Sequence, residues 1–165
     1  MEGADLQRAD LQRAYMPLIR LNWTDMIRAD MQAVEMDYAF LHNADLIEAN
    51  LEKANLAFSE FHEARIDRAN LKEADCRGAK FIQSNLRDTF LQGANLNAAT
   101  LRGADLRGAN LAGASLICAD LSDAKMDEAT ILPDGQNYEQ RIPLDIFTDP
   151  TKPNFKPPHY WIWLG

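Results

Sequence analysis

The chain is poor in the residues on which most chemistry relies. Of its 165 residues, 2 are cysteine and 3 are histidine. Cys76 and Cys118 make neither a disulfide framework nor a metal-ligand spacing, and a lone pair in a cytosolic chain is expected to stay reduced. No Ser/His/Asp or Cys/His arrangement is discernible and no glycine-rich phosphate loop follows a strand, so catalysis has no candidate residues. Basic charge is in deficit: 17 Lys and Arg stand against 25 Asp and Glu, a formal charge of −8. That balance argues against direct binding of nucleic acid or an anionic membrane, because phosphate recognition needs a basic excess. Long apolar runs are missing as well. Nothing approaches the roughly 18 residues of a membrane span, and Met1 to Asp5 carry no basic and apolar leader. The absences together predict a cytoplasmic, non-enzymatic protein without a cofactor.

What is present is ordinary globular composition, 47% apolar and 25% charged, in a length that suits one domain with a real core. A large apolar residue recurs at every fifth position, from Leu6, Leu11 and Met16 through Phe61, Cys76 and Phe81 to Leu121, Met126 and Ile131. Two residues before these 26 centres runs a second column, Ala at 20 of them and Ile19, Thr24, Val34, Ser59, Ser84 or Thr89 at the rest. Five residues advance an α-helix by about 500°, which scatters the centres around its surface. In a continuous strand an odd spacing sends successive centres to opposite faces, while the positions between them are mostly Asp, Asn, Arg, Gln and Glu. The solution left is to turn the chain once per repeat, so that every centre points to one axis.

Ala49-Asn50-Leu51-Glu52-Lys53, Ala104-Asp105-Leu106-Arg107-Gly108 and Ala109-Asn110-Leu111-Ala112-Gly113 resemble the repeats of the pentapeptide-repeat proteins. The resemblance implies an all-β fold, a right-handed parallel quadrilateral β-helix with four repeats per coil, so that residues twenty apart stack. It covers about residues 2 to 131, and predicts a repeat body over 1–131 followed by an irregular C-terminal cap over 132–165. The Leu132-Pro133-Asp134-Gly135 ending is similar to that of cyanobacterial members.

Stacking at twenty makes the surface legible as columns. Arg28, Glu48, Arg68 and Asp88 alternate in sign and read as a ladder of solvated ion pairs. Leu18, Tyr38 and Phe58 form an outward apolar column; with Tyr15 beside it and Trp23 and Phe40 around the next corner, it is the expected interaction site, since contiguous exposed apolar surface marks contacts. His42 and His62 share a column with Glu60 and Glu63 nearby. Two histidines alone are an incomplete site, so a structural or solvent-facing role and no bound metal are expected, with this pair as the candidate should a metal be held. The acidic stacks Asp5, Asp25, Asp45 and Asp10, Asp30 invite comparison with the DNA-mimicking, gyrase-protecting members of the family, but Arg65, Arg68, Arg102 and Arg107 interrupt them.

A β-helix exposes strand edges at its ends. Ile142, Leu144, Ile146 and Phe147 are expected to cover the C-terminal coil. Lys152 to Pro158 reads as an extended connector, and His159 to Leu164 as a strap packed on the rod or a ligand for something else. Repeats begin almost at Met1, which leads to the expectation of a homodimer through the N-terminal coils, unless the natural chain starts further upstream or the sequence is an excised fragment. The functional expectation is a non-enzymatic scaffold binding another protein, with a gyrase-directed DNA mimic and a metal- or small-ligand-binding protein as the alternatives.

Overall fold

A backbone that turns every five residues must find hydrogen-bond partners outside its own segment, and it finds them in the coils above and below. The computed structural model describes residues 1–140 and 142–157; its repeat body is a right-handed quadrilateral β-helix. From Asp5↔Asp25 to Asp105↔Lys125, 21 parallel bridges join residues twenty apart. Each repeat makes the same set of bonds. Asp25 N donates to Ala4 O, Leu6 N to Asp25 O and Arg8 N to Ile27 O, while the turn closes from Ala9 N to Leu6 O at 3.1 Å. With coils ~4.8 Å apart, the body is a rod of about 30 Å.

The set leaves over one donor, the N–H of the residue after each centre. Asp and Asn before the centre take it: Asp5 Oδ1 accepts from Gln7 N at 3.0 Å, Asn50 Oδ1 from Glu52 N at 3.3 Å and Asp105 Oδ1 from Arg107 N at 3.3 Å. Where Tyr15 stands there and cannot accept, the residue after the centre is Pro17, which has no N–H to satisfy. Where Phe40 stands there, Asn22 Oδ1 reaches across from the coil below to accept from His42 N at 2.9 Å.

Inside, the centres and the small column pack from Leu21 to Leu116 at no more than 2% exposure. Alanine leaves the core just wide enough for one large side chain per face. Phe61 and Phe81 stack on successive coils with ring centroids 4.8 Å apart. Buried Ser59 meets its own needs, its hydroxyl donating to Met36 O at 2.7 Å and accepting from Ala39 N at 3.0 Å. The turn's third residue lies in the left-handed region throughout, with φ from 53° to 71° at positions 3 to 123. Most of these residues are not glycine, so the coil geometry overrides a preference worth ~1–2 kcal/mol per residue.

The five-residue phase does not reach Ile131, and here the structure corrects the sequence reading. Asn110 bridges Ile131, 21 residues on instead of 20. Thr130 and Leu132 take the small and central positions at 0% and 1% exposure, while Ala129 is exposed and Ile131 half-buried. One extra residue is absorbed at Asp127. Its Oδ1 accepts from Gly108 N at 3.0 Å, where a backbone carbonyl serves in the coils below, and also from Ala129 N at 3.1 Å.

Beyond this slip the chain closes the upper end. The Leu132-Pro133-Asp134-Gly135 turn is tied by Gly135 N to Leu132 O at 2.8 Å, and Ile131 pairs antiparallel with Asn137. A four-residue helix, α1 (Asp145–Thr148), buries Ile146 and Phe147 over the last coil. Its Thr148 carbonyl receives Cys118 N at 2.7 Å, a donor the missing next coil would have taken. Ile142 and Leu144 pack partly buried against the same core. The expected strap, His159 to Leu164, lies outside the described residues.

Candidate functional site

Two surfaces stand out from the polar remainder, and both arise from stacking at twenty. The first is the apolar column. Leu18, Tyr38 and Phe58 occupy the turn's left-handed position on consecutive coils, with φ of 60°, 56° and 59°, so that their side chains leave the rod at its corner. They are 66%, 49% and 50% exposed. Tyr38 and Phe58 stack with centroids 5.1 Å apart and planes 15° from parallel. Phe58 in turn lies over Gly78, where a Cβ would sit 2.6 Å from its Cδ1 and Cε1. The glycine makes room for the ring. Tyr15 and Trp23 add exposed area at 78% and 68%. Phe40 belongs elsewhere: it is half-buried, carries Arg20 over its ring at 5.3 Å and tilts against His42 at 6.3 Å.

The second surface is that next corner. His42 and His62 stack with centroids 4.7 Å apart. Glu60 Oε2 meets His42 Nε2 at 2.9 Å, and Glu60 Oε1 accepts from Lys80 Nζ at 2.8 Å. The Lys80 bond, with His42 behind it, holds the Glu60 carboxyl below its ordinary range against the opposing effect of burial. Burial, reinforced by His42, pushes the His62 imidazole down. The sequence reading placed the two histidines together and named Glu60 as a neighbour; the convergence of all three on one point shows only in three dimensions.

The remaining columns are structural. Arg28 Nε bonds Glu48 Oε2 at 2.6 Å and Arg68 reaches Glu48 Oε1 at 3.6 Å, as the alternating signs predicted. The acidic stacks on which the comparison with DNA mimics rests have local roles: Asp25 and Asp30 accept from the following turn and from Gln7 and Gln12, and Asp45 is paired with Arg65 at 2.6 Å. Cys76 is buried in the core, which pushes its thiol far above the ordinary range, whereas Cys118 is exposed. No helix among the described residues is long and apolar enough to cross a membrane.

A rod of four-repeat coils, with its apolar centres inside and columns of residues twenty apart outside, defines a repeat protein of the β-helix class. The family model for pentapeptide repeats matches in overlapping segments from residue 4 to 131, and the chain belongs to that family. No curated protein matches it in sequence. Among solved structures it is similar to HetL, a pentapeptide repeat protein involved in heterocyst differentiation regulation from the cyanobacterium Nostoc sp. strain PCC 7120. That match is 23% identical, covers 84% of this chain and 89% of that one, and has a TM-score of 0.54, a likeness of fold. A pentapeptide repeat protein of the Arabidopsis thaliana thylakoid lumen is 27% identical over 74% of this chain and 71% of its own, with a TM-score of 0.45. The plasmid-mediated fluoroquinolone resistance protein QnrB1 is 19% identical over 74% and 67%, at 0.39.

Proposed function

We propose that the chain is a non-enzymatic interaction module that binds another protein through the Leu18, Tyr38 and Phe58 column. The observation that supports this is the half-exposed Tyr38–Phe58 stack, with Leu18, Tyr15 and Trp23 also exposed on the N-terminal coils. Rigid aromatic side chains give large contact area at small entropic cost, which is why Tyr and Trp concentrate at binding hot spots. The ladder beneath the rings fixes them before any partner arrives. The N-terminal coil, with Leu6, Leu11 and Met16 only partly buried, is the surface on which a second copy would pair.

The test compares the intact chain with a Tyr38→Asp/Phe58→Asp variant in affinity capture from host lysate, with thermal melts to show that both are folded. A protein retained by the intact chain and released by the variant, then bound by the purified chain with an affinity at least tenfold weaker for the variant, supports the reading. Equal capture by both folded proteins sinks it.

A further inference from the structure

The corner occupied by His42, Glu60 and His62 carries a second function. We propose that these three residues bind a single divalent transition-metal ion of the zinc class, with water completing the coordination. One ligand atom from each residue lies within 4.8 Å of the other two. Two imidazoles and a carboxylate with a fourth position open is a donor set that zinc accepts, and imidazole suits copper and nickel as well.

Stacked histidines follow from any column that repeats the residue, so stacking alone would mean little. Three further observations separate this corner from an ordinary ladder. Glu60 divides its oxygens: Oε1 is occupied by Lys80, and Oε2 is turned to His42 Nε2. Lys80 thereby orients the carboxylate and leaves one oxygen for the site, the arrangement in which outer partners fix metal ligands. The 2.9 Å contact between His42 Nε2 and Glu60 Oε2 already brings an imidazole nitrogen and a carboxylate oxygen together, and an ion at ~2.0–2.1 Å from each donor takes the place between them after a small rotation of the rings. His62 Nε2 is shielded from water and has no hydrogen-bond partner, an unmet need that a ligated ion or its water removes.

The backbone under the site is pinned. His42 N is held by Asn22 Oδ1 at 2.9 Å and Asn43 N by His62 O at 2.9 Å, so the two rings keep adjacent rungs and metal binding needs no rearrangement of the coils. Glu63, exposed on the same turn, adds negative charge that partly offsets Lys80.

Equilibrium dialysis of the full chain against Zn2+ with elemental analysis tests this, using the intact protein, His42→Ala, His62→Ala, Glu60→Gln and, as a control, His159→Ala. One zinc per chain is expected for the intact protein and for His159→Ala, with affinity at least tenfold weaker in the other three. Zinc should raise the thermal midpoint of the intact protein and leave that of His62→Ala unmoved. If a variant fails to fold, imidazole 15N signals of the intact protein decide: two histidines shifting together on zinc addition uphold the site, and a shift of the third alone refutes it. No stoichiometric zinc in the intact protein, or full binding by folded His42→Ala, overturns the proposal.

Discussion

Asp127 does with a side chain what its counterparts in lower coils do with the main chain. Its carboxylate takes the Gly108 N–H and also binds the Thr130 hydroxyl and the Ala129 N–H. Burial opposes ionisation, but these bonds outweigh it and hold the carboxyl below its ordinary range. Replacing it by alanine orphans Gly108 N and should cost ~1–3 kcal/mol, read as a lower thermal midpoint at pH 7. The sign of the pH effect follows from the lowered folded value. The stabilisation is fully present above the unfolded aspartate pKa of ~3.9 and is lost as pH falls through the folded one. Asp127→Ala and the parent chain should therefore converge in stability on acidification, and a gap unchanged at low pH would contradict this account. The slip itself was invisible in the sequence. Ala129 and Ile131 continue the small and apolar columns in composition, so a five-residue pattern matches them although the chain places Thr130 and Leu132 there. The role of Asp and Asn before the centre was equally hidden, because a pattern of polar residues does not say which N–H each oxygen meets.

At the scale of the coil, the five-residue phase was legible in full from Leu6 to Met126, because each large side chain has the axis as its one dry destination. The columns followed from it, and the ion-pair ladder at Glu48 and the apolar stack at Tyr38 both stand where stacking at twenty puts them. What stacking could not give was side-chain direction: Phe58 leaning over Gly78, or Phe40 turned to Arg20 and His42. The coil also predicts which deletions the fold survives. Removing residues 84 to 103 takes out one coil, joins Gln83 to Ala104 in phase and should leave a shorter folded rod with its cap intact, since such stacks are held by nearest-neighbour contacts. Removing Gly93 alone throws every later centre out of phase and should abolish cooperative unfolding of the C-terminal half. Circular dichroism and thermal melts distinguish the two, and similar melts for both would mean that the phase is not what holds the coils.

For the whole molecule, the two ends differ. At the C-terminal end Ile131 is paired with Asn137, Cys118 N is taken by Thr148, and Ile146 and Phe147 sit on the last coil. At the other end the first coil offers the N–H and C=O of Asp5, Asp10, Tyr15 and Arg20 on its lower edge, the groups that their counterparts one coil up use for pairing. Light scattering over a wide concentration range should find monomers or pairs and nothing larger. A ladder of higher species would show that the cap does not close its end.

The slip at Asp127 is what makes that closure possible. An in-phase chain would present the next coil with a landing strip identical to the one before, and a second molecule's first coil could settle on it as readily as the chain's own continuation. Displaced by one residue and folded back on itself, the terminal edge no longer speaks the same five-beat metre. A single inserted residue thus acts as a full stop on the repeat, breaking the register in which a shape of this kind could in principle extend without limit.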